Sequence, residues 1–118
     1  MIVIYYYHLP MSNECVNHIL MKSDDPQVIT TIQSLVISRA VIYKCGKKVI
    51  RFDYSTKHLP DYDWLLNIVK TYSCWVKNEW RVKDGKAGIW IGSKQSEEIQ
   101  VKHMEWDDVS IEEELDRF

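Results

Sequence analysis

The stretch PDYDWLLNIVKTYSCWVKNEWRVKDGKAGIWI, residues 60–91, carries two periodicities in succession. Trp64, Leu65, Ile68, Val69, Tyr72, Trp75 and Val76 recur at helical spacing, with Asp63, Asn67, Lys70, Ser73 and Lys77 mostly between them. That stripe predicts an amphipathic helix opened by Pro60-Asp61. From Trp80 the period changes. Trp80 to Lys83 and Ala87 to Ile91 are two short β-prone runs separated by Asp84-Gly85, and Asp-Gly between such runs is the strongest local signal for a hairpin. A helix feeding directly into a hairpin places the chain in the α+β class.

Upstream, Val41 to Tyr54 is rich in Val, Ile, Tyr and Phe and is broken at Cys45-Gly46-Lys47-Lys48. This predicts another hairpin, with Gly46 supplying a positive φ. Asp24-Asp25-Pro26 is a helix start, because Asp caps free backbone N–H groups and Pro at the first helical position loses no hydrogen bond. Val28, Ile29, Ile32, Leu35 and Val36 then form one apolar stripe, so the helix is expected over 26–38. Residues 2–8, β-branched and aromatic on both faces, predict a central strand ended by His8-Leu9-Pro10. Residues 13–21, with Val16, Ile19 and Leu20 at helical spacing, predict a short helix capped by Ser12.

Downstream, residues 98–106 alternate as a strand, with Ile99, Val101 and His103 on one face and Met104 and Trp106 on the other. Ser110 and Glu113 form a capping box for a short C-terminal helix lined by Ile111, Leu115 and Phe118. The expected fold is a single α+β domain, 1–118. It has a mostly antiparallel sheet of five or six strands and two main helices on one face. Its core is a ferredoxin-like split β-α-β arrangement, with added C-terminal strands and the short final helix.

The 118 residues suffice for one core. No apolar run approaches a membrane span or a signal peptide. Cys15, Cys45 and Cys74 are odd in number and form no CxxC pair, which argues for free thiols in a cytoplasmic protein rather than disulfides or zinc. The net charge of −2 hides an asymmetry: residues 97–118 hold nine acids and two bases, while residues 1–96 hold thirteen bases and eight acids. Such polarity points to a charged partner or to self-association. Part of the acidic cluster, Glu112 to Glu114, also suits the first turn of a helix.

The chemical motifs are sparse. His-Leu-Pro occurs at His8 and again at His58, each after an expected strand. Two-histidine phosphoesterases need Thr or Ser two residues after each His. Those positions are Pro10 and Pro60, so the pattern is not met and both copies read as strand-ending turns. Glu14, Cys15 and His18 would share a helix face as half a metal site or a Cys–His pair, but no further ligands stand at a recognisable spacing. Phosphate loops, GxSxG elbows and HExxH are absent. No cofactor or metal is expected, and no catalytic residue is assigned beyond an alternative hydrolase built on His8, His58 or His103.

The charge polarity favours a binding or inhibitory protein of the immunity or phage-inhibitor type. It would engage a basic protein partner, such as a toxin or a host or defence protein, through Glu105, Trp106, Asp107, Asp108, Glu112, Glu113 and Asp116. An alternative is a single-stranded nucleic-acid module using the hairpin cations Lys44, Lys47, Lys48, Arg51, Arg81, Lys83 and Lys86 beside Tyr43, Phe52, Tyr54, Trp80 and Trp90.

Overall fold

The computed structural model describes residues 14–82 and 85–107. In chain order they form β1 (Glu14–Lys22), α1 (Pro26–Val36), β2 (Val41–Cys45), β3 (Val49–Lys57), α2 (Tyr62–Tyr72), β4 (Trp75–Val82), β5 (Lys86–Gln95) and β6 (Glu98–Asp107). The six strands make one sheet in the order β2-β3-β1-β4-β5-β6, with every neighbouring pair antiparallel. The α+β class, the antiparallel sheet and the two helices agree with the sequence. The expected strand at 2–8, the helix at 110–118 and the turn residues Lys83 and Asp84 lie outside the described residues. No described helix is long and apolar enough to cross a membrane.

Both helices start as their sequences dictate. Asp25 accepts from the Gln27 backbone N–H at 2.9 Å and Pro26 follows it, while Asp61 accepts from the Trp64 N–H at 3.1 Å. The ends differ from expectation. α1 stops at Val36, and α2 stops at Tyr72 because Ser73 turns left-handed, with φ 51°. Trp75 and Val76 therefore belong to β4. They follow Tyr72 by three and four residues, so they fit the helical period as well as the strand they occupy. Gly85 has the positive φ of a tight turn (104°), whereas Gly46 turns without one.

The helix expected over 13–21 is corrected outright. Residues 14–21 form most of β1, a strand paired on both sides, and not a short helix. The buried positions of β1 are Cys15, Asn17, Ile19 and Met21, a strict alternation. Asn17 is polar and interrupts the apolar pattern that would have announced a strand.

One layer of core lies between the helices and one face of the sheet. Ile29, Ile32 and Val36 of α1 and Leu65, Ile68 and Val69 of α2 cluster with Ile19, Met21, Ile50, Phe52, Tyr54, Val76 and Trp90. Register aligns these sheet residues on the same side: Ile19 stands opposite Phe52, and Met21 opposite both Ile50 and Val76. Among the described residues, two polar side chains are fully buried, and they join between adjacent strands, with Asn78 Nδ2 donating to Asn17 Oδ1 at 2.9 Å. Asn17 Nδ2 in turn donates to the Tyr54 carbonyl (3.2 Å) and the Thr56 hydroxyl (3.0 Å).

On β5, two glycines make room for tryptophans. A Cβ at Gly88 would stand 2.5 Å from the Trp80 ring and 2.7 Å from the Met104 carbonyl, and one at Gly92 would collide with Trp90. Trp80 lies directly opposite Gly88 and fills the space its absent side chain leaves.

Two substitutions test this account by thermal or urea unfolding. Asn17→Ala strands the Asn78 amide and the Tyr54 carbonyl, and is expected to cost about 1–3 kcal/mol for each group left without a partner. Gly92→Ala overpacks against Trp90, and is expected to cost about 1–3 kcal/mol.

Candidate functional site

The helices cover one face of the sheet, and no described element covers the other. Even-numbered residues of β1 point to that open face, so Glu14, Val16, His18, Leu20 and Lys22 line its middle. Cross-strand pairing sets rows over the three central strands. Asp53, His18 and Glu79 form one row, Arg51, Leu20 and Lys77 the next, and Lys22 stands opposite Trp75. Outward, Ile89 and Met104 continue the first row, while Ile91 and Lys102 continue the second. Lys22, Lys44, Arg51, Lys57, Lys77, Arg81 and Lys102 thus share this face with Glu14, Asp53, Glu79 and Glu98. The face is richer in cations than in acids.

Aromatic and sulfur-bearing side chains interleave with these charges. Tyr43 sits in the irregularity where the β2–β3 register shifts between Ile42 and Lys44, and it is 62% exposed. Lys22 Nζ lies 5.3 Å from the Trp75 ring centroid, a cation–π contact. Met104 and Trp106 of β6 are 67% and 42% exposed.

The strongest polar contact on the open face is His18 Nδ1 to Asp53 Oδ1, 2.8 Å. Hydrogen bonding to the neighbouring Asp53 and its negative charge push the Tyr43 phenol up from its ordinary range. Lys77 and Glu79 pair at 2.9 Å along β4. His18 and Glu79 stand between two depressions. One, of about 400 Å³, also takes in Tyr43, Arg51, Asp53 and Lys77; the other, of about 320 Å³, takes in Arg81, Ile89 and Trp106. A third, of about 370 Å³, lies at the strand ends, with Lys22, Lys48, Trp75 and Lys94 around it.

The hairpin cations divide accordingly. Lys44 and Arg51 are cross-strand neighbours on the open face, and Arg81 shares that face. Lys47 and Lys48 sit in the β2–β3 turn, and Lys83 lies outside the described residues. Lys86 points to the helix side and contacts Glu105 at 3.7 Å. Of the aromatics expected beside them, Phe52, Tyr54, Trp80 and Trp90 are buried, and Tyr43 is exposed.

The acidic residues divide as well. Glu105, Trp106 and Asp107 are exposed on the edge strand β6. Strand alternation sends Trp106 to the open face and Glu105 and Asp107 to the helix side. Asp108, Glu112, Glu113 and Asp116 lie outside the described residues. The supposed cluster of Glu14, Cys15 and His18 is separated by the strand, which buries Cys15 in the core and sends His18 to the open face. His103 bonds the Tyr62 hydroxyl at 2.9 Å on the helix side and stands 3.7 Å from Glu105. Burial and the Glu105 charge push the Tyr62 phenol up to about 12. His58 follows β3 in a strand-ending turn, four strands from β6 and so roughly 19 Å away across the sheet. His58 and His103 therefore share no site, and His8 lies outside the described residues.

Sequence reading missed His18, Asp53, Lys77 and Tyr43 as a group. Asp53 is 35 positions from His18, and only the β1–β3 register joins them. Comparison with protein-family models, with curated proteins and with solved structures finds no match to this chain.

The thiols offer a check on the placement of β1 and of the turn between α2 and β4. Cys15 and Cys74 are buried and Cys45 is exposed. Burial pushes the Cys15 thiol up and raises that of Cys74 to about 11. Thiolate is the reactive form, so a maleimide at pH 7.5 is expected to label Cys45 in the folded protein and all three thiols after denaturation, as read by intact mass.

Proposed function

We propose that this chain is a single-stranded nucleic-acid-binding module that lays its ligand across the open face of the sheet. One observation carries the reading. A face left uncovered by the helices gathers Arg51, Lys77 and Arg81 with Tyr43, Trp75 and Trp106. Cations along a path neutralise phosphates, and exposed aromatic rings stack on bases without regard to sequence. The two depressions flanking His18 give successive nucleotides separate places to sit.

The strand order supports the ferredoxin-like reading of the fold. β3 lies between β1 and β2, and β1 lies between β3 and β4, so each strand-helix-strand unit spans an intervening strand. The free, partly buried cysteines support a cytoplasmic location.

A second reading draws on β6. This ten-residue edge strand is exposed throughout and carries Glu105, Trp106 and Asp107, which suits an inhibitory or immunity-type role against a basic protein partner. Edge strands with exposed backbone groups recruit other chains.

Fluorescence anisotropy with short labelled single-stranded oligonucleotides tests the first reading. Affinity is expected to fall steeply with salt, and Arg51→Glu with Lys77→Glu is expected to flatten the log–log salt slope by about one per lost phosphate contact. Affinity indifferent to salt and to both substitutions would overturn it. Weak oligonucleotide binding that is untouched by those changes, with a basic protein captured through Glu105 and Asp107, would favour the second.

A further inference from the structure

We propose that the His18–Asp53 pair makes the open face a metal-independent ribonuclease site, an inference that rests on the nucleic-acid reading above. The geometry begins with the imidazole. A carboxylate can only accept, so the 2.8 Å contact assigns the proton on Nδ1 to the bond with Asp53. In the neutral imidazole Nε2 is then the lone-pair nitrogen, on the ring edge away from Nδ1 and Asp53. This is the tautomer a general base needs, and a positioned carboxylate is the usual means of fixing it. The Asp53 side chain is 19% exposed, whereas the His18 side chain is 56% exposed. The orienting group is thus sheltered and the reacting group is accessible.

The surroundings supply the rest. His18 lines both depressions, so a strand running from the one beside Tyr43 to the one beside Trp106 would carry a phosphodiester over the imidazole. Arg51 and Lys77, in the larger depression, are placed to offset the charge that builds on the phosphoryl oxygens.

The reaction needs no component beyond RNA and water. The 2′-hydroxyl gives its proton to His18 Nε2, and the 2′-oxygen forms a bond to phosphorus. The bond from phosphorus to the 5′-oxygen breaks with its electron pair, and that oxygen takes a proton from water. His18 returns its proton to the hydroxide so formed. The products are a 2′,3′-cyclic phosphate and a 5′-hydroxyl end. DNA, which has no 2′-hydroxyl, would bind and stay intact. Asp53 acts here as a positioning residue.

The test uses the full chain in EDTA with one sequence made as RNA, as DNA and as 2′-O-methyl RNA, scoring binding and cleavage separately. Only RNA should be cut, leaving cyclic-phosphate ends identified by mass. His18→Ala should lower kcat by about 10²-fold or more, with a far smaller change in KM and an unchanged unfolding midpoint. Asp53→Asn should lower kcat without raising KM, and should cost nothing further in the His18→Ala background. RNA bound but left intact, or cut at an unchanged rate by His18→Ala, would overturn the cleavage and leave the binding reading standing. Failure to bind any of the three would overturn both.

Discussion

The double pairing of β1 is the constraint on which the rest of the molecule depends. β1 is hydrogen-bonded to β3 on one side and to β4 on the other, and a slip of one residue in either ladder would exchange its two faces. Apolar burial alone penalises such a slip through Cys15, Ile19 and Met21. Asn17 makes the register specific. Its amide reaches the Tyr54 carbonyl and the Thr56 hydroxyl of β3, and its carbonyl oxygen accepts from Asn78 of β4. A buried amide satisfied in one register would be stranded in another, at a cost of a few kcal/mol.

The same register builds the open face. With Asn17 locked beneath the helices, His18 must stand between Asp53 and Glu79, and Leu20 between Arg51 and Lys77. Core polarity and surface chemistry are therefore adjacent consequences of one alignment. The helices contribute by occupying a single side. Had α1 and α2 packed on opposite faces, the row of Asp53, His18 and Glu79 would be buried charge without the solvent that now tolerates it.

What the sequence disclosed was local. Asp25 before Pro26 and Asp61 three residues before Trp64 each act within a few residues, and each marks the helix start the structure has. What it concealed was either ambiguous in period or remote in sequence. Val16, Ile19 and Leu20 satisfy a helical spacing by accident, because Asn17 removes the apolar beat that would have contradicted it. Trp75 and Val76 extend the stripe of α2 although Ser73 has already ended that helix. The site was hidden for the second reason. His18 and Asp53 are brought together by a ladder between strands far apart in the chain, and no local pattern distinguishes them from solvated surface residues. The contiguous run Glu105-Trp106-Asp107 was misleading in the reverse way, since neighbours on a strand face opposite sides.

The outward growth of the sheet beyond β4 has a dynamic consequence. Among the described strands β6 pairs with β5 alone and is exposed along its whole length, whereas Trp90 anchors β5 in the main core. Detaching β6 would break one ladder and the His103–Tyr62 bond and leave the layer beneath the helices intact. Its amides should therefore exchange with solvent through a local opening, well below the free energy of global unfolding, while those of β1 exchange only when the whole molecule unfolds. Trp106 travels with β6, so the wall of the depression beside His18 belongs to an edge strand, and its base is formed by the doubly paired β1.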